Sequence, residues 1–414
     1  MTPFLRGTLI STIGCAALMA GAGAADWPQW RGPQRDGVAA GVVPPAVWPE
    51  KLVRAWSVPV GEGHAGPILV GDRVFVHARE EDREVVRALR LSDGGTLWRV
   101  AWPISYEMNP AATGHGKGPK ATPVEAGGTL FTFGITGVIS ALDAATGDLR
   151  WRKDFSTEFK ATSPLYGAAA SPLVVDDLVI THVGGHHDGS LSAFDVKTGK
   201  RRWALKGDGP GYASPILAEL AGRRQIITQT DQRIVGVAAS DGRLLWSLPF
   251  TTPYDQNIVT PLLFENLLIV SGIEQGVRAY TFETKGEDLS PREVWSRKDA
   301  SFYMSSPVLA SGRLFGLSLL RQRQLVCLDP KTGEVQWMSP GRVADQVTLV
   351  AAGTFVLALT DGGELIVLPA ASKEFSPLAR YRVAESPTWA HPVPVPHGVI
   401  VKDRTDLSLW SWGS

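Results

Sequence analysis

A short motif repeated along the chain is the feature that most constrains its fold. The spacing Asp-x-x-Thr-Gly-x-x-x-Trp occurs three times and ends at Trp151, Trp203 and Trp337. Two further copies keep only Gly-x-x-x-Trp and end at Trp98 and Trp246. An Asp side chain can accept hydrogen bonds from the N–H groups of a tight turn, and glycine supplies a positive φ. Each copy therefore predicts strand, turn and strand. Repetition at roughly 40–50 residues predicts a β-propeller or a solenoid.

Two sets of markers give the number of repeats as eight. The first set is a pair, usually ending in proline, that can open a strand, because the first strand position does not need the missing N–H of proline. These pairs run from Gly66-Pro67 to His391-Pro392. The second set is an aromatic residue in the outermost strand: Trp56, Trp98, Trp151, Trp203, Trp246, Trp295, Trp337 and Tyr381.

The two ends of the repeat array complement each other. An outer-strand pattern at residues 52–58 precedes the first strand-opening pair, whereas the repeat after His391 lacks a fourth strand. We predict that residues 52–58 complete the last blade, because closing the ring removes two free sheet edges. The expected fold is all-β: a closed eight-bladed β-propeller of four-stranded antiparallel blades over residues 52–414.

Residues 1–25 have the features of a secretory signal peptide. Arg6 precedes an apolar run at residues 8–19, and small residues suited to cleavage follow. The run is too short to span a bilayer, so we expect a periplasmic or secreted protein without a membrane span. The sequence around Cys15 is only loosely similar to a lipobox, and a lipid anchor there is not expected. Cys327 is then the one mature cysteine, which predicts no disulfide framework.

Residues 26–51 are predicted to form an extended N-terminal arm. The Trp-rich stretch at 27–37 has neither helical nor strand periodicity. One interpretation is that this stretch binds a partner. The other is that its Trp residues cover an exposed edge or the base of the fold.

Composition and motifs exclude several classes of function. Lys+Arg and Asp+Glu balance at 41 each, so no net charge favours a nucleic-acid partner. The chain has no Gly-x-Ser-x-Gly followed by a helical pattern and no Cys/His nucleophile arrangement. We therefore assign no catalytic residue and expect a monomer that is a binding protein rather than an enzyme.

Long connections at 99–120 and 152–170 join an outer strand to the next inner strand, so they lie on one face of the disc. On that face, the residues three positions before the second residue of each strand-opening pair form a ring at the channel mouth. The ring consists of His64, Lys120, Ala169, Tyr212, Ile258, Met304, Gln346 and Trp389. Such a ring can bind a small polar or aromatic ligand or a peptide, or it can simply plug the channel.

Residues from the ring and the adjacent loops form the predicted ligand- or partner-binding site. They are His64, Lys117, Lys120, Tyr166, His186, Tyr212, Asn257 and Trp389. The loop at 114–120 contains Gly-His-Gly-Lys-Gly-Pro-Lys but lacks the Gly-Lys-Ser/Thr order and the following helix of a phosphate-binding loop. A cationic lid over the channel remains an alternative for this loop.

Two groups of residues invite a metal assignment. His182, His186 and His187 are close in sequence, but a hairpin tip explains their Gly-rich segment without a metal. Asp255 and Asn257 offer two oxygen ligands, which are too few for Ca²⁺. We therefore predict no metal site.

The repeated signature resembles that of the pyrroloquinoline-quinone (PQQ)-type β-propeller repeat family, over roughly residues 52–412. The resemblance implies that the Trp of each blade docks against the turn of the neighbouring blade. It carries this role to Trp56, Trp98, Trp151, Trp203, Trp246, Trp295 and Trp337. One branch of the family contains quinoprotein alcohol dehydrogenases that hold PQQ and Ca²⁺. The other contains non-catalytic propellers, including the outer-membrane protein assembly factor B.

The chain departs from the dehydrogenase branch. It lacks the adjacent Cys-Cys pair that stacks on the quinone, and no acidic cluster stands at matching blade positions. PQQ and Ca²⁺ are therefore disfavoured as cofactors. The resemblance to the non-catalytic branch predicts an exported scaffold with a protein partner in the cell envelope. The alternatives are a PQQ-dependent oxidoreductase similar to the alcohol dehydrogenases, and a small-ligand sensor that uses the channel mouth.

Overall fold

The strands form eight antiparallel sheets, which are the blades of a β-propeller. The computed structural model describes residues 26–286, 288–320 and 322–413. The predicted signal peptide and Cys15 lie outside the described residues.

Blades 1 to 4 each contain four strands in sequence order, from the innermost to the outermost. Blade 1 consists of Ile68–Val70, Arg73–Glu80, Arg83–Arg90 and Thr96–Pro103. Blade 2 consists of Val124–Ala126, Thr129–Phe133, Ile139–Asp143 and Leu149–Lys153. Blade 3 consists of Leu173–Val175, Leu178–Gly185, Asp188–Asp195 and Arg201–Gly207. Blade 4 consists of Ile216–Leu220, Arg223–Gln229, Arg233–Ala238 and Leu244–Pro249.

Blades 5 to 7 continue the same order. Blade 5 consists of Leu262–Phe264, Leu267–Gly272, Gly276–Lys285 and Asp288–Arg297. Blade 6 consists of Val308–Ala310, Arg313–Ser318, Gln324–Leu328 and Val335–Met338. Blade 7 consists of Val347–Ala352, Phe355–Thr360, Glu364–Pro369 and Ala379–Arg382. Two short 3₁₀ helices, Pro110–His115 and Pro253–Asp255, lie in the connections between blades.

Blade 8 closes the ring with strands from both ends of the described chain. Its inner strands are Val393–Val395, Gly398–Lys402 and Asp406–Ser411, and its outermost strand is Val53–Pro59. The outermost strand pairs antiparallel with Asp406–Ser411, with Trp56 opposite Leu409. The predicted closure by residues 52–58 is therefore confirmed.

A β-bulge lies beside the signature Trp in the outer strand pair of most blades. In seven blades the register between the third and fourth strands shifts by one residue beside the Trp, as between Leu149 and Trp151. Blade 7, which carries Tyr381 instead of Trp, keeps a regular register. A bulge turns the side chain beside it, so the bulge sets the direction of the indole.

Five of the indoles donate Nε1–H to a backbone carbonyl in the turn region of the following blade. Trp98, for example, bonds the carbonyl of Ala144, and its ring lies where a Cβ on Gly147 would meet it at 2.7 Å. The same donation is made by Trp56, Trp151, Trp295 and Trp337. Trp203 packs on Gly242 in the same way without a partner for Nε1.

Trp246 differs from the other signature Trp residues. Its Nε1 donates to Gln225 Oε1 within its own blade, and its ring packs on Phe282 at 4.8 Å between centroids. The third and fourth strands of blade 5, Gly276–Lys285 and Asp288–Arg297, are the longest of the ring and extend where blades 2, 3 and 6 have the Thr-Gly turn. Trp246 therefore has no such turn to contact.

The N-terminal arm enters the axial channel. Trp27 exchanges backbone hydrogen bonds with Leu69 in the innermost strand of blade 1. Further on, the strand Val38–Ala39 pairs in parallel with Val347–Ala352, adding a fifth strand to blade 7. Between these points, residues 28–37 turn within the channel. Later in the arm, Trp48 packs against Phe355 and Trp412.

Two arginines fix the arm from inside the channel. Arg31 and Arg35 are buried. The Arg31 guanidinium donates to the carbonyls of Ser306 and Pro307, where blade 6 begins. Arg35 donates to the carbonyl of Ser171, where blade 3 begins. Desolvation lowers the pKa of Arg31 to about 10 and that of Arg35 to about 9, and both remain cationic at neutral pH. The arm thus ties blades on different sides of the ring.

Candidate functional site

A cavity of about 300 Å³ opens on the face of the disc that carries the two long connections. It lies where the chain enters the inner strands, at the mouth of the axial channel. Its lining is mostly aromatic and apolar: Trp30, His64, Ala111, His115, Lys120, Tyr166, Ala169, Tyr212, Ser214, Gln256, Ile258, Tyr303, Met304, Ser306 and Trp389. We call this the mouth cavity.

Seven of the eight predicted ring positions line the mouth cavity; Gln346 does not. Gln346 is buried, its backbone N–H points to the carboxylate of Asp361, and its carbonyl accepts from the N–H of the same residue. The start of blade 7 is therefore tied to its own second hairpin, away from the cavity.

Trp30, at the tip of the arm, forms the base of the cavity. Its Nε1 donates to Thr260 Oγ1 at 3.1 Å, and its ring meets His391 edge-on at 4.4 Å between centroids. Thr260 and His391 both belong to strand-opening pairs, so the indole is held at the level where the inner strands begin. The sequence predicts that Trp30 lies on an extended arm, but the spacing that identifies the ring positions does not include Trp30.

Two groups of rings form the walls. His64, His115 and Trp389 surround one side, with His115 and Trp389 at 4.7 Å and His64 and Trp389 at 5.7 Å between centroids. On the other side Tyr166 and Tyr212 are 6.0 Å apart. Such walls bind an apolar or aromatic group by contact area and ring stacking.

Tyr303 and Gln256 complete the wall beside the tyrosines. The hydroxyl of Tyr303 donates to Gln256 Oε1. The sequence patterns do not identify either residue, although each stands near a ring position: Tyr303 directly precedes Met304 in the chain, and Gln256 lies two residues before Ile258. A rule that also considered neighbours of the ring positions would have found them.

Lys120 is the charged group of the lining. Desolvation lowers its pKa to about 8, and its ammonium donates to the carbonyl of Tyr166. Burial, with the nearby Lys402 charge, lowers the pKa of His64 to about 3, and burial lowers that of His115 as well. Burial raises the pKa of Tyr303 to about 12. At neutral pH the cavity therefore combines one cation with neutral rings.

The loop at 114–120 bends into the cavity wall. His115 ends the 3₁₀ helix Pro110–His115, and Lys120 follows four residues after Gly116. Gly118 lies against the backbone of Glu62, where a Cβ would be 2.3 Å from the carbonyl oxygen. The loop is therefore packed on the start of blade 1, and it contributes a side wall of the cavity.

Three predicted site residues lie outside the lining. Lys117 is exposed on the loop surface. Asn257 is buried, and its amide donates to the carbonyls of Thr230 and Phe250 at 2.7 and 2.8 Å, which is a structural position. His186 lies beside the cavity rim, within 2.6 Å of Asp255.

The donor set of the cavity does not fit an oxygen-ligated Ca²⁺. Among the described residues of the lining none is Asp or Glu; the oxygen donors are the amide of Gln256 and hydroxyls. The whole chain has two cysteines, Cys15 and Cys327, which are not adjacent. The indole of Trp30 at the floor of the cavity could stack on a quinone. However, the described lining offers no carboxylate that could hold the Ca²⁺ ion or act as the catalytic general base.

Within residues 26–286, 288–320 and 322–413, no helix has the length and apolar character needed to cross a membrane.

Comparison with known proteins gives relatives of two kinds. A family model described as outer membrane protein assembly factor BamB matches residues 81–339. BamB of Yersinia pestis is 27% identical over 263 residues, which is 63% of this chain and 60% of that protein. Methanol dehydrogenase subunit 1 of Paracoccus denitrificans is 31% identical over 177 residues, 39% of this chain and 26% of that protein. The chain thus spans less than two thirds of the length of these relatives.

Solved structures share the fold. BamB from Moraxella catarrhalis has a TM-score of 0.65 at 17% identity and covers 87% of this chain and 99% of that chain. The quinohemoprotein alcohol dehydrogenase from Comamonas testosteroni has a TM-score of 0.69 at 14% identity, with coverages of 94% and 81%. At these identities the likeness concerns the fold alone, and both branches have it.

Proposed function

The chain belongs to the family described as outer membrane protein assembly factor BamB, and from this premise we propose that it is a non-catalytic scaffold that binds a protein partner. The partner inserts a side chain into the mouth cavity. The observation that carries the proposal is the cavity itself: a ring-walled depression with one cation at neutral pH and no carboxylate among its described lining residues.

The chemistry of the cavity defines the partner segment. A volume of about 300 Å³ is at the small end for ligand pockets and suits one or two side chains. The aromatic walls favour an aromatic or large aliphatic residue of the partner. Lys120 offers a charge-assisted hydrogen bond to a carboxylate beside that residue. We therefore assign an aromatic or apolar anchor next to Asp, Glu or a C-terminal carboxylate as the preferred partner segment.

The rim of the cavity carries exposed apolar side chains. Tyr254 is 75% exposed and Leu165 is 46% exposed, and they precede Asp255 and Tyr166 on two connections of the cavity face. Tyr254 also holds a φ of 60°, a conformation that costs a non-glycine residue about 1–2 kcal/mol. An exposed aromatic residue at the edge of a cavity is suited to a protein interface, where Tyr is enriched.

A periplasmic or secreted location and a partner in the cell envelope are further parts of the proposal. The signal-peptide features of residues 1–25 support a periplasmic or secreted location. Relatives described as outer membrane protein assembly factors support a partner in the assembly of cell-envelope proteins. The charge balance of the chain supports a protein partner over nucleic acid.

Photo-cross-linking from single positions tests the proposed interface. A photoreactive amino acid at Tyr254 or Leu165 samples the cavity face. The same group at Leu149, which is 53% exposed and begins an outer strand beside the turn on the opposite face, is the matched control. We expect one envelope protein to be cross-linked from the first two positions and not from the third. The product should be lost when Lys120→Ala and Tyr212→Ala are added. Equal labelling from all three positions, or products unaffected by these changes, would contradict the proposal.

A second candidate function is a quinone-dependent alcohol oxidation. The position of Trp30 at the base of the axial cavity favours it, together with the similarity of part of the chain to a methanol dehydrogenase. Calorimetric titration of the purified protein with PQQ and Ca²⁺, followed by a dye-linked assay with alcohols, separates the two functions. Saturable binding with turnover would replace the scaffold proposal. Absence of both binding heat and turnover would support the scaffold proposal.

A further inference from the structure

A cluster of metal-binding side chains lies beside the mouth cavity. His186 and His187 occupy the hairpin tip between the second and third strands of blade 3, and Asp255 ends the 3₁₀ turn that leads into blade 5. One ligand atom from each of the three residues lies within 4.8 Å of the other two. The histidines and Asp255 are far apart in the chain, so the sequence gives no reason to group them.

The distances are close to those of a metal site. Asp255 Oδ2 is 2.6 Å from His186 Nε2 and 3.6 Å from His187 Nε2. Two ligands of a tetrahedral Zn²⁺ with bonds of about 2.0–2.1 Å are roughly 3.3 Å apart. A shift of less than about 1 Å in the His186–Asp255 pair therefore admits an ion at ordinary bond lengths.

A buried carboxylate orients one of the imidazoles. The Asp231 side chain is 0% exposed, and its Oδ2 accepts from the backbone N–H of His187 at 2.8 Å and lies 2.9 Å from its Nδ1. A carboxylate bonded to Nδ1–H directs the lone pair of Nε2 outward, and this is the usual outer-shell partner of a metal-bound histidine. In this arrangement Nε2 of His187 points towards Asp255.

A glycine beside Asp231 allows its carboxylate to approach His187. A Cβ on Gly209 would lie 2.5 Å from the nitrogen of His187 and 2.8 Å from Asp231 Oδ2, so a side chain at this position would separate the two. The second oxygen of Asp231 has no hydrogen-bond partner, and neither has His186 Nδ1. Unpaired buried polar atoms are costly, and these two belong to side chains of the cluster and of its positioning carboxylate.

The cluster is accessible from solvent. The side chains of His186, His187 and Asp255 are 25%, 57% and 27% exposed. Three protein ligands with an exposed side leave further coordination positions for water or for a group of a bound partner. Gln256, which follows Asp255, lines the mouth cavity, so these positions are next to that cavity.

We propose that His186, His187 and Asp255 bind a divalent transition-metal ion, with Asp231 as the positioning residue for His187. Two imidazoles and one carboxylate favour Zn²⁺ and its neighbours in the first transition row over Ca²⁺ or Mg²⁺, which prefer oxygen ligands. The site is distinct from the Ca²⁺ site that the dehydrogenase resemblance implies, because its ligands lie at the rim and not in the mouth cavity. The proposal does not depend on the scaffold function.

His182 is not part of the cluster. It is buried, and its Nε2 lies 3.0 Å from the carbonyl of Asp208. Of the three histidines that first suggested a metal, two are therefore brought together, and the third ligand comes from a residue that the sequence did not connect with them.

Calorimetric titration with Zn²⁺ tests the site directly. The full chain is purified without a histidine tag, freed of metal with a chelator and titrated with Zn²⁺. Absorption of the Co²⁺ form then gives the ligand geometry. We expect one equivalent to bind with micromolar or tighter affinity, and the Co²⁺ form to show the intense visible bands of a four- or five-coordinate site.

Four variants separate a built site from incidental binding. His186→Ala and Asp255→Asn should each weaken Zn²⁺ binding at least about tenfold, and Asp231→Asn should weaken it about 10–100-fold with shifted Co²⁺ bands. His397→Ala removes an exposed histidine of blade 8, and it should leave affinity unchanged. Thermal melts identify any variant that has lost its fold. Absence of saturable binding, or binding that His186→Ala and Asp255→Asn leave unaltered while remaining folded, would overturn the proposal.

Discussion

The two faces of the disc are built by different means. On one face the tight turns repeat from blade to blade: Asp143, for example, accepts the N–H groups of Ala145 and Thr146, and the indole of Trp98 packs on the Gly147 that ends the turn. On the other face the connections between blades differ in length and line the mouth cavity, and one of them meets a hairpin tip of blade 3 to form the His–Asp cluster. The first face therefore holds the blades together, whereas the second carries the candidate sites.

The largest expected effect on stability comes from the turn face. Trp203→Ala removes a buried indole, 7% exposed, that packs between blades 3 and 4, and we expect a loss of about 3–5 kcal/mol in the free energy of unfolding. Denaturant melts measure it. Tyr254→Ala on the cavity face removes an aromatic ring that is 75% exposed and should change stability by less than about 0.5 kcal/mol. A loss below about 1 kcal/mol for Trp203→Ala would contradict the docking role.

The arm is expected to contribute the next largest effect. Arg31→Met leaves the carbonyls of Ser306, Pro307 and Asp36 without their buried donor, and the expected cost is about 2–4 kcal/mol. Arg224→Met is the matched control, because its side chain is 51% exposed and paired with Asp176 on the surface, where a loss under about 1 kcal/mol is usual. Equal effects of the two changes in denaturant melts would show that the arm does not support the ring.

A pair of glycine variants isolates the Trp contact from backbone strain. Gly242 has a φ of +72°, and a Cβ there would lie 2.4 Å from the Trp203 ring. Gly222 has a φ of +68° with no atom within 4 Å of the added Cβ. Gly222→Ala should cost about 1 kcal/mol for the backbone alone. Gly242→Ala should cost about 2–3 kcal/mol, because it also displaces the indole. If both variants lowered the melting temperature equally, the Trp203 indole would not be held against Gly242.

The smallest of these effects is the pH dependence of stability caused by Lys402, a buried lysine near the cavity face. Desolvation lowers the pKa of Lys402 from 10.5 to about 8, and its ammonium donates to the carbonyls of Gly61 and Gly63. Between pH 8 and 10.5 the unfolded chain holds this proton more tightly than the folded protein does, so the contribution of Lys402 to stability rises with pH. It amounts to about 1 kcal/mol from pH 8 to pH 9.

The slope of stability against pH is measured by denaturant melts at several pH values. Lys402→Met should reduce the rise in the free energy of unfolding between pH 8 and pH 9 by about 1 kcal/mol. Lys331→Met, which removes an exposed lysine of the turn face paired with Glu265, should retain the slope of the unmodified protein. A slope unchanged in Lys402→Met would contradict the assigned burial cost of the ammonium.

The same contrast explains what could be predicted from the sequence. The turn face follows a periodic pattern, so the number of blades and the closure by residues 52–58 could be derived from the signature Trp positions. Ring positions such as His64 could be counted back from each strand start, and they line the cavity. Trp246 shows the limit of the pattern, because its surroundings depend on the long hairpin of the next blade.

The remaining parts of the site depend on contacts between distant segments. Trp30 lies on an arm whose Arg31 and Arg35 bind carbonyls of blades 6 and 3, and nothing in the local sequence of the arm specifies those partners. Asp255, on the connection between blades 4 and 5, meets His186, at a hairpin tip of blade 3. Such proximity arises from the closed ring and has no periodic signature.

The closure of blade 8 has a consequence for the order in which the molecule forms. The hydroxyls of Ser57 and Ser408 meet at 2.8 Å across that blade although they are 351 positions apart in the chain. A contact of such sequence separation is slow to form, because a long loop must be ordered before the pairing stabilises it. During synthesis the strand Val53–Pro59 therefore lacks its partner Asp406–Ser411 until residue 411 has been made. Until then, exposed strand edges are open to wrong pairing, and the ring becomes resistant to it only in its last step.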